Sequence, residues 1–118
     1  MTIRNALASV AVSNLRTATT WYESLFGRPA DSSPMPEVTE WKFDGGGWLQ
    51  VYENRQRAGS GSVTLAVSDL EEQIANLESL GLDAGPTIVG KVVKVVMIKD
   101  PDGNSIAFAE ATDPSIGQ

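Results

Sequence analysis

The chain has 118 residues, 42% of them hydrophobic and 20% charged, with a net charge of −6 and a pI near 4.5. That size and balance suit one folded domain with its own core, and the acidity excludes a protein that tracks nucleic-acid phosphates. Neither cysteine nor histidine occurs, which removes disulfides, thiolate chemistry, histidine-based triads and ordinary zinc sites together.

In chain order, Ile3–Val12 alternates as a strand should. Arg4 followed by Ala6–Val12 has the outline of a short leader, but Ser9 interrupts the apolar run and a helix start follows directly, so a first strand is the better reading. No run approaches the ~20 apolar residues that cross a membrane. Asn14 is placed to cap a helix whose buried stripe is Leu15, Ala18, Tyr22, Leu25 and Phe26, with Gly27 closing it. Trp21 and Tyr22 read as core. Val38–Asp44 and Trp48–Glu53 are two strands joined at Gly45-Gly46-Gly47, and residues 55–60 are a polar linker.

The second half repeats the plan. Ala8–Leu15 (ASVAVSNL) matches Val63–Leu70 (VTLAVSDL) at an offset of 55 residues, nearly half the chain. This marks a duplicated module, since a solenoid would need three or more short repeats. Ser62–Val67 is a strand. Ser68 and Glu71 predict a capping box. Leu70, Ile74, Leu77 and Leu80 predict a buried stripe that ends at Gly81. Lys91–Lys99 is a β-branched strand, Asp100-Pro101-Asp102-Gly103-Asn104 is a turn, and Ser105–Glu110 is the last strand. Strand, helix, then two or three strands in each half predicts an α+β fold: two βαβββ modules forming a curved, mixed or antiparallel sheet around a cleft, with helices on the outer face. The expected organisation is one domain over 1–118, built from half-modules 1–54 and 61–111 and followed by a loose tail, 112–118.

Each strand has two different faces. Ala8, Val10, Val12, Leu49, Val51, Val63, Leu65, Ile106 and Phe108 belong to bulky faces suited to packing beneath helices. Ser9, Ala11, Ser62, Thr64, Ala66, Ala107 and Ala109 make small, weakly polar faces. Small faces permit close packing of sheets or subunits, or they leave a cavity. Trp48 and Tyr52 on the same parity as Gln50 favour the cavity, because large aromatics beside small residues suit a pocket. Trp48 and Tyr52 then offer a stacking platform, and Gln50 a donor and an acceptor. The glycine turn decides which residues of the preceding strand join them. A four-residue turn sets Trp41 and Phe43 beside Gln50, whereas a three-residue loop sets Glu40 and Lys42 there. The cost of burying Glu40 and Lys42 under a helix favours Trp41.

The segments VAVSNLRTATTWYESLFG (Val10–Gly27), LAVSDLEEQIANLESLGL (Leu65–Leu82) and KDPDGNSIAF (Lys99–Phe108) together resemble the glyoxalase/bleomycin-resistance (vicinal oxygen chelate) superfamily. The resemblance covers nearly the whole chain. It implies four strand positions that hold a divalent metal in that family, and by register these are Leu7, Gln50, Ser62 and Ala107 here. Leu7 and Ala107 cannot ligate, Ser62 is a poor neutral ligand, and Gln50 offers one oxygen. Glu110 has the wrong face parity to help. A stable site needs several placed donors, so the expectation is a metal-free member with no cofactor. Such a chain binds or sequesters a planar or hydrophobic metabolite or drug. Its expected ligand contacts are Trp48, Gln50, Tyr52, Trp41, Ser9, Ser62, Thr64 and Ala107. The alternatives are a metal-free isomerase or lyase and a non-catalytic interaction module. No nucleophile–base pair is visible. A cytoplasmic homodimer that contacts neither nucleic acid nor membrane completes the expectation.

Overall fold

The computed structural model describes residues 1–112. The first half runs β1 (Leu7–Val12), α1 (Leu15–Phe26), β2 (Ser32–Met35), β3 (Val38–Lys42) and β4 (Trp48–Glu53). The second runs β5 (Ser62–Ala66), α2 (Leu70–Ser79), β6 (Ile88–Val89), β7 (Val93–Lys99) and β8 (Ser105–Ala111). Each half forms a four-stranded mixed sheet, ordered β1-β4-β3-β2 and β5-β8-β7-β6, in which the first strand pairs parallel to the last and the other pairs are antiparallel. This is the duplicated α+β plan expected from the sequence. The tail over 112–118 lies outside the described residues except for Thr112, whose N–H donates to Val92 O at 2.8 Å.

The two helices start by the same device. Asn14 and Asp69 each accept from the backbone N–H three residues on, at 3.0 Å and 3.1 Å. A glutamate from the last strand of each half supplies the next acceptor: Glu53 takes the Leu15 N–H and Glu110 the Leu70 N–H. Both carboxylates thus meet the positive end of a helix, where an anion is favoured. The Leu70 N–H and the Lys94 ammonium hold the Glu110 carboxyl below the usual carboxylate range. Glu110 therefore faces the helix side, as its parity required. The Ser68–Glu71 box is replaced by Asp69, which aligns with Asn14 and has the stronger acceptor. Leu80 is the C-terminal cap of α2 and is exposed, so the buried stripe stops at Leu77, with Ile74 half-buried beside it.

The bulky strand faces pack beneath the helices as expected. Val10, Val12, Leu49 and Val51 meet Ala18, Tyr22 and Leu25 of α1, while Val96, Ile98, Ile106 and Phe108 meet Leu70 and Leu77 of α2. Tyr22, Phe26, Trp41 and Phe43 form an aromatic group with ring centroids 5.4–6.1 Å apart, in tilted and edge-on geometries that suit their quadrupoles.

The halves meet in a wedge. The end of β1 touches the start of β5, where Gly61 lies against Val10. The segment between the halves is a hydrogen-bonded turn, with Asn54 Oδ1 accepting from the Gln56 and Arg57 N–H groups. Gly59 in this turn has φ +90, and a Cβ there would lie 2.4 Å from Asp102 O. Gly59→Ala is therefore expected to destabilise the fold by about 2–3 kcal/mol, since both the backbone region and the contact oppose a side chain. Thermal unfolding measures this, and a loss below ~1 kcal/mol would show that the turn yields without cost.

Candidate functional site

The narrow end of the wedge is a polar lock built by the Asp100–Asn104 turn. Asn104, fully buried, donates from Nδ2 to Ala11 O and to Asp100 Oδ2, both at 2.8 Å, while its Oδ1 accepts from the Gly61 N–H at 2.8 Å. Asp100 is only 4% exposed and also receives the Tyr22 hydroxyl at 2.8 Å and the backbone N–H groups of Asp102 and Asn104. Every neighbour of that carboxylate is a donor, so its burial is fully compensated. Burial, then the adjacent Asp100 charge, push the Tyr22 phenol well above its ordinary pKa, so it stays protonated and keeps donating. Asp102 closes the lock by accepting from the Ser13 N–H at 3.1 Å and the Ser13 hydroxyl at 2.5 Å. The sequence marked this segment as a turn. Its reach across to β1 and α1 leaves no local signal, because each partner lies far away along the chain.

The wide end of the wedge is open. A cavity of about 980 Å³ lies there, with Leu7, Phe26, Phe43, Trp48 and Leu49 on the first half's side and Val63, Thr64, Leu65, Gln73 and Phe108 on the second's. Among the described residues its sole ionisable lining residue is Arg28, whose Nη1 is bound to Asp31 at 2.7 Å and whose Nη2 donates to Lys42 O. The Lys42 N–H and then Arg28 hold the Asp31 carboxyl below its ordinary value. The lining is otherwise apolar, apart from hydroxyls and carboxamides. A smaller space of about 430 Å³ adjoins it through shared lining residues, among them Ser68, Gln73 and Asn76, and adds Asp69 and Glu72.

The structure divides the eight ligand contacts expected from the sequence. Trp48 and Thr64 line the cavity. Gln50 and Ser9 are direct cross-strand partners on the other face of the first sheet, where Ser9 Oγ donates to Gln50 Oε1 at 3.1 Å. Tyr52 is half-buried with the parity of Gln50, while Ser62 and Ala107 sit on the small-residue face of the second sheet; none of the three is in the cavity lining. Trp41 is a correction. Phe43 and Gly47 close a three-residue loop of Asp44, Gly45 and Gly46, through Phe43 N–H to Gly47 O and Gly46 N–H to Phe43 O. That register sets Glu40 opposite Gln50 and buries Trp41 opposite Leu49, with Trp41 Nε1 donating to Arg28 O at 3.2 Å. The desolvation argument failed because Glu40 and Lys42 face away from α1. Glu40 accepts from Gln50 Nε2 at 2.5 Å and from Ser32 Oγ at 2.9 Å, in a chain of polar contacts open to solvent. Lys42 lies over the Trp48 ring, 5.8 Å from its centroid.

The four positions implied for a metal do not form a fitting donor set. Leu7 and Ala107 carry only hydrocarbon, Gln50 Oε1 is engaged by Ser9, and Ser62 adds a neutral hydroxyl. Among the described residues no group of three or more acidic side chains is placed to hold a metal ion, whereas hard cations want several anionic or carbonyl oxygens.

No protein-family model matches the chain, and a search of curated proteins finds no match. Solved structures do match. A glyoxalase/bleomycin resistance protein from Catenulispora acidiphila is 32% identical, with a TM-score of 0.81 over 92% of this chain and 98% of that one. The antibiotic-binding protein TnmS3 from a Streptomyces species superposes with a TM-score of 0.79 at 22% identity, covering 95% of this chain and 99% of that one. A lactoylglutathione lyase from Agrobacterium tumefaciens superposes with a TM-score of 0.74 at 16% identity, covering 93% and 94%. The last two bear on the fold alone.

Proposed function

Since this chain belongs to the glyoxalase/bleomycin-resistance superfamily, we propose that it is a metal-independent binding protein that takes up a small, flat, largely apolar molecule between its two half-modules. The observation that carries this reading is the cavity of about 980 Å³, whose size and aromatic lining match a ligand pocket. Binding without turnover is favoured over a metal-free isomerase or lyase because, among the described residues, the lining of the large cavity holds no carboxylate, thiol or imidazole, and Arg28 is committed to Asp31. Proton transfer needs a placed acid or base, and the described lining of the large cavity supplies none. Metal independence rests on the donor set at Leu7, Gln50, Ser62 and Ala107. The similarity to TnmS3, an antibiotic-binding protein, is in keeping with a sequestering role.

We also infer pairing with a second copy in the cytoplasm. Exposed Ile88 and Val89 lie on the edge strand β6, exposed Val92 in the bend after it and exposed Met97 on the neighbouring β7, and exposed apolar side chains in one region favour an interface. No helix among the described residues is long and apolar enough to cross a membrane.

The test is titration with Nile red, a neutral planar dye, followed by dye emission and tryptophan quenching. Trp48 lines the cavity, whereas Trp41 is buried in the core. Saturable binding of one dye per cavity with quenching, unchanged by a chelator, is the expected result. Absence of saturable binding would sink the proposal. Elemental analysis finding one tightly held divalent ion per chain would overturn metal independence, and chelator-resistant conversion of a bound compound would restore the enzyme reading.

A further inference from the structure

The cavity is chemically divided, and the division names the class of molecule that fits. On the first half's side stand Phe26, Phe43 and Trp48, which offer π-faces and ring edges and no hydrogen-bonding atom except the indole N–H. On the other, α2 presents Gln73 and Asn76 one turn apart, and both border the large cavity and the smaller space beside it. Residues three apart on a helix project from the same side. Neither carboxamide side chain has an intramolecular hydrogen-bond partner among the described residues, although Asp69, Ser13, Gln50 and Asn104 all use their side chains internally. The smaller space, about 430 Å³, adds the Ser68 hydroxyl and the carboxylates of Asp69 and Glu72. One Asp69 oxygen caps α2 through the Glu72 N–H, and the other is free to accept.

We propose that the pocket recognises an amphiphilic conjugate: a flat apolar ring system seated in the wedge, with a polyhydroxylated appendage such as a sugar lying along α2 in the adjoining space. This rests on the wedge being a binding site and adds the ligand's class and the residues that select it. A polyol needs donors and acceptors interleaved at short spacing, because each hydroxyl both gives and receives a hydrogen bond. Gln73 and Asn76 supply both kinds, Ser68 supplies both, and Asp69 and Glu72 supply acceptors. An amine would satisfy the carboxylates but leave the carboxamide N–H groups facing another donor. A purely apolar ligand would fill the wedge and leave the polar space to water. A ligand that covers the Gln73 and Asn76 carboxamides without offering partners strips their water at a cost, so specificity is assigned to these two residues.

Calorimetric titration of the full chain with two neutral coumarin ethers tests this: 7-methoxy-4-methylcoumarin, and 4-methylumbelliferyl β-D-glucoside, which carries the sugar at the same oxygen. The glucoside is expected to bind about tenfold tighter, the effect of one or two well-made hydrogen bonds. In the Gln73→Ala/Asn76→Ala double variant the preference for the glucoside over the methoxy ether should vanish. Alanine favours helix, and both positions lie on the surface of α2, so circular dichroism should be unchanged. A glucoside that binds no tighter than the ether, or not at all, while Nile red still binds, overturns the inference and leaves the binding reading standing. A preference that survives the double variant also overturns it. Failure of all three probes overturns both.

Discussion

Replacing Asn104 with leucine should be the most damaging single substitution, with an expected loss of about 3–5 kcal/mol. Leucine nearly preserves the side-chain volume but removes three hydrogen bonds at a residue with no exposure. Ala11 O and the Gly61 N–H lose their side-chain partner, and Asp100 Oδ2 keeps only the Tyr22 hydroxyl. Each buried polar group left short costs about 1–3 kcal/mol, and small domains hold only about 5–15 kcal/mol in total. Urea denaturation should show a lower midpoint with an unchanged slope, the pattern of lost stability in an otherwise two-state unfolding. A loss below about 1 kcal/mol would mean that the lock does not hold the halves together.

The second large effect is on binding. Thr64→Trp should weaken Nile red binding about 100-fold, or about 2.7 kcal/mol, because an indole at that position occupies space the ring system needs. Thr64 is solvent-exposed on β5 and lines the cavity, so the fold should tolerate the change within about 0.5 kcal/mol, as exposed sites usually do. The control is Ser62→Trp, on the same strand face but outside the lining, which should leave the affinity within about threefold. Equal losses from both variants would place the dye elsewhere. Full affinity in Thr64→Trp would remove the wedge as the binding site.

Much of the architecture was legible in the residues themselves. The 55-residue repeat, the caps at Asn14 and Gly27, and the two-faced strands depend on neighbours in sequence, so local chemistry suffices to read them. Two caps compete locally at the start of α2: the Ser68–Glu71 spacing fits a capping box, and the fold uses Asp69, one residue on. Trp41 shows a harder limit. Strand parity reverses with each residue added to a turn, so the exact closure between Phe43 and Gly47 decided whether Trp41 or Glu40 stood beside Gln50. No composition argument could replace that geometry.

The candidate site divides in the same way. That no histidine or cysteine is available, and that Leu7 and Ala107 stand at two of the four positions implied for a metal, follow from the sequence alone, because absent atoms cannot be restored by folding. The location of the cavity is a tertiary matter. Alternation along single strands pointed to the face bearing Ser9 and Gln50, while the cavity lies where the two half-modules splay apart, a relation between elements distant in the chain. The lock at Asp100, Asn104 and Tyr22 has the same origin: one end of the wedge is pinned by contacts spanning 78 and 93 residues, which no neighbouring residue announces.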